Sequence, residues 1–243
     1  MEWEAPAIVL ETVLYGEGDF LVTLLTGEYG AWRALVRGGA SRSKVATWQV
    51  GNMLAARWAA RLPEQLGFFT AELVHPGAAL AMDNRLSLAV LNAACATATG
   101  ALPEREAQPT CFAGLARILA GIAIENAALP ALIVWELELL RSLGFGLDLS
   151  SCALSGATSG LAFVSPKTGR AVAEAAAGIW RERLLPLPAF LVDEGPADMA
   201  ACRDGLHLTG YFLARDAFGQ RHRPLPQSRL LLYELVSDLS QRP

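Results

Sequence analysis

The sequence is short of charge. Only 18% of its 243 residues are Asp, Glu, Lys or Arg, against roughly a quarter in an ordinary soluble domain. Apolar residues make up 53%. A chain so composed buries a sizeable core, which excludes disorder as its main description. The 22 glycines and 13 prolines follow no period, which excludes a collagen-like or low-complexity chain. Nor is there an internal repeat of a solenoid or propeller.

Paired metal ligands are missing as well. The four cysteines, Cys95, Cys111, Cys152 and Cys202, form no CxxC pair, and His75, His207 and His222 are isolated, so no zinc pattern is present. Two disulfides are possible by number, but a chain of this size needs none, and buried free thiols are expected. The start, Met1-Glu2-Trp3-Glu4-Ala5-Pro6, has neither the basic residues nor the apolar run of a secretory signal, so a cytoplasmic protein is expected. The longest uncharged stretch, 86–103, is nearly membrane length. It contains Asn92, Gly100 and many alanines, and therefore predicts a buried helix rather than a bilayer span.

Catalytic motifs are equally sparse. No G-x-S-x-G, no Walker A and no complete G-x-G-x-x-G occurs. Ser41-Arg42-Ser43-Lys44 fits S-x-x-K and Lys167-Thr168-Gly169 fits K-T-G, the order used by penicillin-binding proteins. The intervening S-D-N element is absent, and Ser41 follows two glycines in a β-rich region rather than opening a helix. A serine hydrolase is therefore a distant alternative, and no enzyme is expected.

What the sequence does contain falls into two parts. Up to about residue 75, short β-rich runs at 7–15, 20–26, 31–37, 47–58 and 66–73 alternate with turns such as Gly16-Glu17-Gly18-Asp19, Gly38-Gly39 and Leu62-Pro63-Glu64. Five short strands predict a small closed barrel or a sandwich. Along 32–37 the period of two puts Trp32, Ala34 and Val36 on one face and Arg33 and Arg37 on the other. After Pro76 the period becomes 3.6, predicting helices at 86–99, 110–126 and 130–143 and weaker ones at 171–185, 199–213 and 227–239. A loop-rich stretch of small residues covers 150–168. In the third helix Leu132, Trp135, Leu139 and Leu143 form one stripe, and Glu138 can pair with Arg141.

Charge is unevenly placed. The net charge is −4, yet residues 29–63 carry six basic residues (Arg33, Arg37, Arg42, Lys44, Arg57, Arg61) and no acid, leaving 14 basic against 24 acidic residues elsewhere, a net −10. Two readings stand side by side. In one, the glycines of the 37–44 turn let backbone amides approach a phosphate while the interleaved Trp32, Trp48 and Trp58 stack on bases. In the other, the cations are a solvated surface over tryptophans that fill the barrel core. A second cluster, Arg215, Arg221, His222, Arg223 and Arg229, leans toward a structural role.

Three blocks in order resemble the RecO family of bacterial recombination mediators: Tyr15-Gly16-Glu17-Gly18-Asp19 through the Arg37-Gly38-Gly39-Ala40-Ser41-Arg42 turn; Trp135-Glu136-Leu137-Glu138 with Leu143-Gly144-Phe145-Gly146-Leu147-Asp148-Leu149; and Arg223-Pro224-Leu225-Pro226-Gln227-Ser228-Arg229. The resemblance implies an α+β multidomain protein, with an N-terminal five-stranded OB-fold barrel (1–76) and a mainly α-helical domain (77–243). It implies a non-enzymatic mediator that binds single- and double-stranded DNA and anneals complementary strands. With RecR it would help load RecA onto strands coated by single-stranded-DNA-binding protein, whose C-terminal tail it would engage, working in the cytoplasm at the nucleoid.

It also implies DNA contacts at Arg33, Arg37, Arg42, Lys44, Arg57, Arg223 and Arg229, and a partner-tail groove near Trp135, Leu139 and Arg141. Many members hold zinc with four cysteines in the insert at about 150–170. Here Cys152 remains, Ser155 replaces the second, and 169–176 offers none, so the insert is expected to be a degenerate zinc finger without metal or other cofactor. Where some members carry basic residues ahead of the aromatic-Glu pair, this chain has Ile133-Val134. A protein-interaction scaffold that does not bind DNA is the competing expectation.

Overall fold

The computed structural model describes residues 1–62, 64–124, 126–193 and 195–241; Pro63, part of an expected turn, lies outside them. The chain forms two compact units, 1–128 and 129–243.

The first unit is built on five strands: β1 (Glu2–Tyr15), β2 (Asp19–Thr26), β3 (Gly30–Val36), β4 (Met53–Ala59) and β5 (Phe68–His75). They close in the order β1-β2-β3-β5-β4, consistent with an OB-fold. Closure leaves no edge strand. β1 starts at Glu2 rather than at residue 7 because its first half pairs with β4 while its second half pairs with β2. A bulge between Val9 and Glu11 bends it between the two partners. The run expected at 47–58 becomes a strand only from Met53, and residues 37–51 form a long turn instead.

Inside the barrel Trp3, Val9, Val22, Leu24, Ala34, Val36, Trp48, Leu54, Trp58 and Phe69 make the core. Trp3 stacks on Tyr29 at 4.7 Å between ring centroids, and Trp32 meets Trp58 edge-on at 4.9 Å. A short α1 (Gly77–Ala81), α2 (Arg85–Ala101) and α3 (Pro109–Ala120) complete this unit, with α2 against β1 and α3 against β2. Asn84 caps α2, its side chain accepting from the amides of Leu86 and Ser87. The uncharged stretch at 86–103 is indeed a helix with a buried face of Val90, Leu91, Ala94, Cys95 and Ala98. Among the described residues no helix is long and apolar enough to cross a membrane. At the start of β3 Gly30 adopts φ +67°, and a Cβ there would stand 1.8 Å from the Glu106 carbonyl oxygen. Only glycine allows the α2–α3 loop to lie so close.

The second unit holds α4 (Ala128–Ser142), a three-stranded sheet β7-β6-β8 (β6 Leu161–Val164, β7 Ala171–Ala173, β8 Leu185–Pro186), the one-turn α5 (Glu174–Ala177), α6 (Met199–Phe212) and α7 (Gln227–Ser240). The helix expected over 171–185 is replaced by β7, α5, a 3-10 turn and β8. Alanine-rich sequence favours helix in isolation, but Ala171 and Val164 pair across the sheet and are both buried.

Candidate nucleic-acid interface

The 37–51 turn is long but held at both ends. At its start the Gly38 amide donates to Asp19 Oδ1 at 2.7 Å and the Ala40 amide to the Gly18 carbonyl at 3.1 Å. Gly39 lies against the Phe20 ring, where a Cβ would come within 2.6 Å. At its end the buried Asn52 donates to the carbonyls of Ala46 and Thr47 at 2.8 and 3.1 Å and accepts from the Ala78 amide at 3.2 Å.

Arg37, Arg42 and Lys44 are exposed on this turn. The Arg37 guanidinium rests 4.1 Å from the centroid of the Phe68 ring, a cation–π contact that restricts its rotamers. Lys44 Nζ donates to the Arg37 carbonyl at 2.9 Å, which ties the two basic ends of the turn together. None of the three forms an ion pair with a described acid. The turn therefore presents three cations outside any ion pair with a described acid, with the Ser41 and Ser43 hydroxyls 3.4 Å apart between them. Lys44 is directed to Arg37 rather than to Ser41, so S-x-x-K here is not a serine–lysine pair. The expected cradle of glycine amides is not available either. The amides of Gly38, Gly39, Ala40 and Ser41 already donate to Asp19, Val36, Gly18 and Gly38.

Two other predicted contacts lie apart from the turn and are compensated. Arg33 sits in a cross-strand row with Thr23 and Glu11, 3.7 Å from the Glu11 carboxylate. Arg57 sits in a second row between Glu4 and Thr70 and is paired with Glu2 and Glu4. The hydrogen bond and charge of Arg57 hold the Glu2 carboxyl below its usual range. The tryptophans are core residues: Trp48 and Trp58 are 3% and 2% exposed, and Trp58 Nε1 donates to the Leu66 carbonyl. Trp32 packs partly buried against them with the Arg105 guanidinium over its ring. They cannot stack on bases without opening the barrel.

In the second unit Arg223 is exposed, whereas Arg229 is 1% exposed and must be withdrawn as a DNA contact. Its Nη2 donates to Glu136 Oε2 at 2.9 Å and to the Leu206 carbonyl at 2.8 Å, and Thr209 bonds the same carboxylate. The network joins α4, α6 and α7. The tail groove also needs correction. Trp135 and Leu139 are 2% and 0% exposed because their stripe faces the core. The opposite side of α4 lines an open groove with Val134, Leu137, Glu138 and Arg141, facing Leu147, Phe190 and Leu191.

The insert at about 150–170 offers Cys152 with Ser155 beside it, and one thiol does not make a zinc ligand set. Among the described residues no group of three or more His, Cys, Asp or Glu is gathered. Burial raises the Cys152 thiol, but amide donors from Ala173, Ser155 and Leu154 with the Ser155 side chain outweigh it and bring it down to about 6. Burial alone pushes Cys95 up to about 12.

Residues 1–76 match the family profile described as Recombination protein O N terminal, and residues 82–224 match Recombination protein O C terminal. The chain is 63% identical over 241 residues to the DNA repair protein RecO of Acidiphilium cryptum, covering 98% of this chain and 96% of that one. It is 53% identical over 244 residues to the DNA repair protein RecO of Granulibacter bethesdensis, covering 99% and 98%, and 51% identical over 245 residues to that of Gluconacetobacter diazotrophicus, covering 98% and 96%. With both halves matched in order and the barrel in place, the chain belongs to the RecO family of DNA repair proteins.

Proposed function

We propose that this protein is a recombination mediator that binds single- and double-stranded DNA through the 37–44 turn and anneals complementary strands by screening their repulsion. The observation that carries the reading is the set of cations outside any described ion pair, Arg37, Arg42 and Lys44, on a turn pinned by Asp19 and Asn52. Phosphate contacts supply sequence-independent affinity and release counterions. With RecR the protein would help load RecA onto strands coated by single-stranded-DNA-binding protein. The α4 groove, apolar at Val134, Leu137 and Phe190 with Arg141 on its rim, suits an acidic partner tail that ends in apolar residues. The barrel at 1–76 would carry the DNA and the region 77–243 the partners. The insert around Cys152 is read as a zinc-finger-like element in which amide donors have taken the place of the metal.

Titration of labelled single-stranded DNA at several salt concentrations tests this. Binding is expected to weaken linearly in log–log form, and Arg37→Glu/Arg42→Glu is expected to abolish it or to reduce the slope by about 2. Binding that is absent even at low salt leaves the scaffold reading, in which the α4 groove recruits partners and DNA plays no part.

A further inference from the structure

The tryptophans that the sequence offers as base platforms are inside the barrel, so the turn's cations need another partner for the bases. Among the described residues of the barrel only two aromatic rings are largely open to solvent, Tyr15 at 54% and Phe68 at 38%. Phe68 already carries the Arg37 guanidinium. Tyr15 has no ring contact or hydrogen bond with any described residue through its phenol.

Its position is set by the β1–β2 hairpin. Tyr15 is directly opposite Asp19, and residues directly opposite in an antiparallel pair project to the same face. The Asp19 side chain on that face reaches the Gly38 amide, and the Gly18 carbonyl takes the Ala40 amide. The phenol ring thus stands on the side of the hairpin to which the basic turn is fastened. Glu17, exposed at the hairpin end, repels phosphate and favours a base rather than the backbone at the ring.

We propose that Tyr15 is the base-stacking residue of this interface, holding one unstacked base on its ring while Arg42 and Lys44 hold the neighbouring phosphates. The proposal rests on the DNA-binding reading above and adds a preference to it. Cations grip single and double strands alike, but a base within a duplex has both faces covered by its neighbours and cannot lie on the ring. Tyr15 therefore favours single strands, and every base not on the ring stays open for pairing.

The test compares Tyr15→Ala, Tyr15→Phe and Arg37→Glu/Arg42→Glu with wild type, using an oligothymidine and a duplex of equal length in the full chain. Stacking is worth about 1–3 kcal/mol per base, so Tyr15→Ala is expected to weaken single-strand binding about 5-fold to about 150-fold. Duplex binding stays within about twofold of wild type, which also reports an intact fold, and Tyr15→Phe keeps wild-type affinity for both. Equal weakening for both DNAs overturns the stacking role. So does no change for either DNA when the arginine variant still loses binding, which leaves the hairpin end to a protein contact. Absence of wild-type binding to both DNAs overturns the DNA-binding reading and this one with it.

Discussion

Arginine does opposite jobs in the two units. On the 37–44 turn Arg37 and Arg42 are exposed and form no ion pair with a described acid, and hydrogen bonds with Asp19 and Asn52 pin the loop that carries them. In the helical unit Arg229 is enclosed, and its guanidinium donates to Glu136, Thr209 and the Leu206 carbonyl. One leaves its charge for a ligand to neutralise, and the other has been neutralised by the fold. The difference lies in the partner, not in the residue, and a count of cations along the chain does not distinguish the two.

Breaking the buried pair should have the largest effect. Arg229→Ala leaves the Glu136 carboxylate enclosed without its counter-charge and is expected to cost about 3–5 kcal/mol in urea unfolding. Glu136→Leu/Arg229→Met removes both charges and should recover much of that loss. If Arg229→Ala unfolds at the wild-type midpoint, the network is not structural and the contrast fails. A smaller effect sharpens the other side of the comparison. Asn52→Ala removes the donors that hold Ala46 and Thr47 and the acceptor for the Ala78 amide, for an expected loss of about 1–3 kcal/mol. Faster hydrogen exchange confined to residues near 40–50 and 78 would show that the turn is held as described. The smallest effect concerns Arg57, whose charge is already met by Glu2 and Glu4 on an exposed wall. Surface pairs of this kind contribute little, so Arg57→Ala should leave both the melting temperature and the DNA salt slope unchanged. A slope reduced as strongly as by Arg42→Ala would return Arg57 to the interface.

Much of the barrel was legible because its signals are local. The apolar run of β2, the alternating residues of β3, and turn residues at Gly16-Glu17-Gly18 and Gly38-Gly39 are short-range features. The helix α2 was equally clear, and α6 and α7 were legible from weaker signals, since a period near 3.6 survives without knowledge of what it packs against. The stretch at 171–185 was not, because β6 and β8 override its alanine-rich helical preference. The site was half legible. The basic turn stands out as a run without acids, but compensation of Arg33 by Glu11 and of Arg57 by Glu2 depends on strands distant in sequence being neighbours in the sheet. Tyr15 carried no signal of its own beyond its place before Gly16, and only the pairing of β1 with β2 puts it opposite Asp19, whose side chain takes the Gly38 amide. On α4 the stripe of Trp135 and Leu139 was read correctly as a face, while its direction, toward the core, could not be read from periodicity.

By itself, the sequence determined the element types, the low charge that requires a buried core, the basic stretch at 29–63 and the blocks that mark the family. These follow from composition and from periods of two and 3.6, which each residue expresses through its own backbone preference and polarity. Tertiary structure alone decided which cations are free, which aromatic rings face water and which face of α4 is open. Each of those depends on a neighbour supplied by a remote part of the chain, and burial and charge compensation are properties of such pairs rather than of single residues.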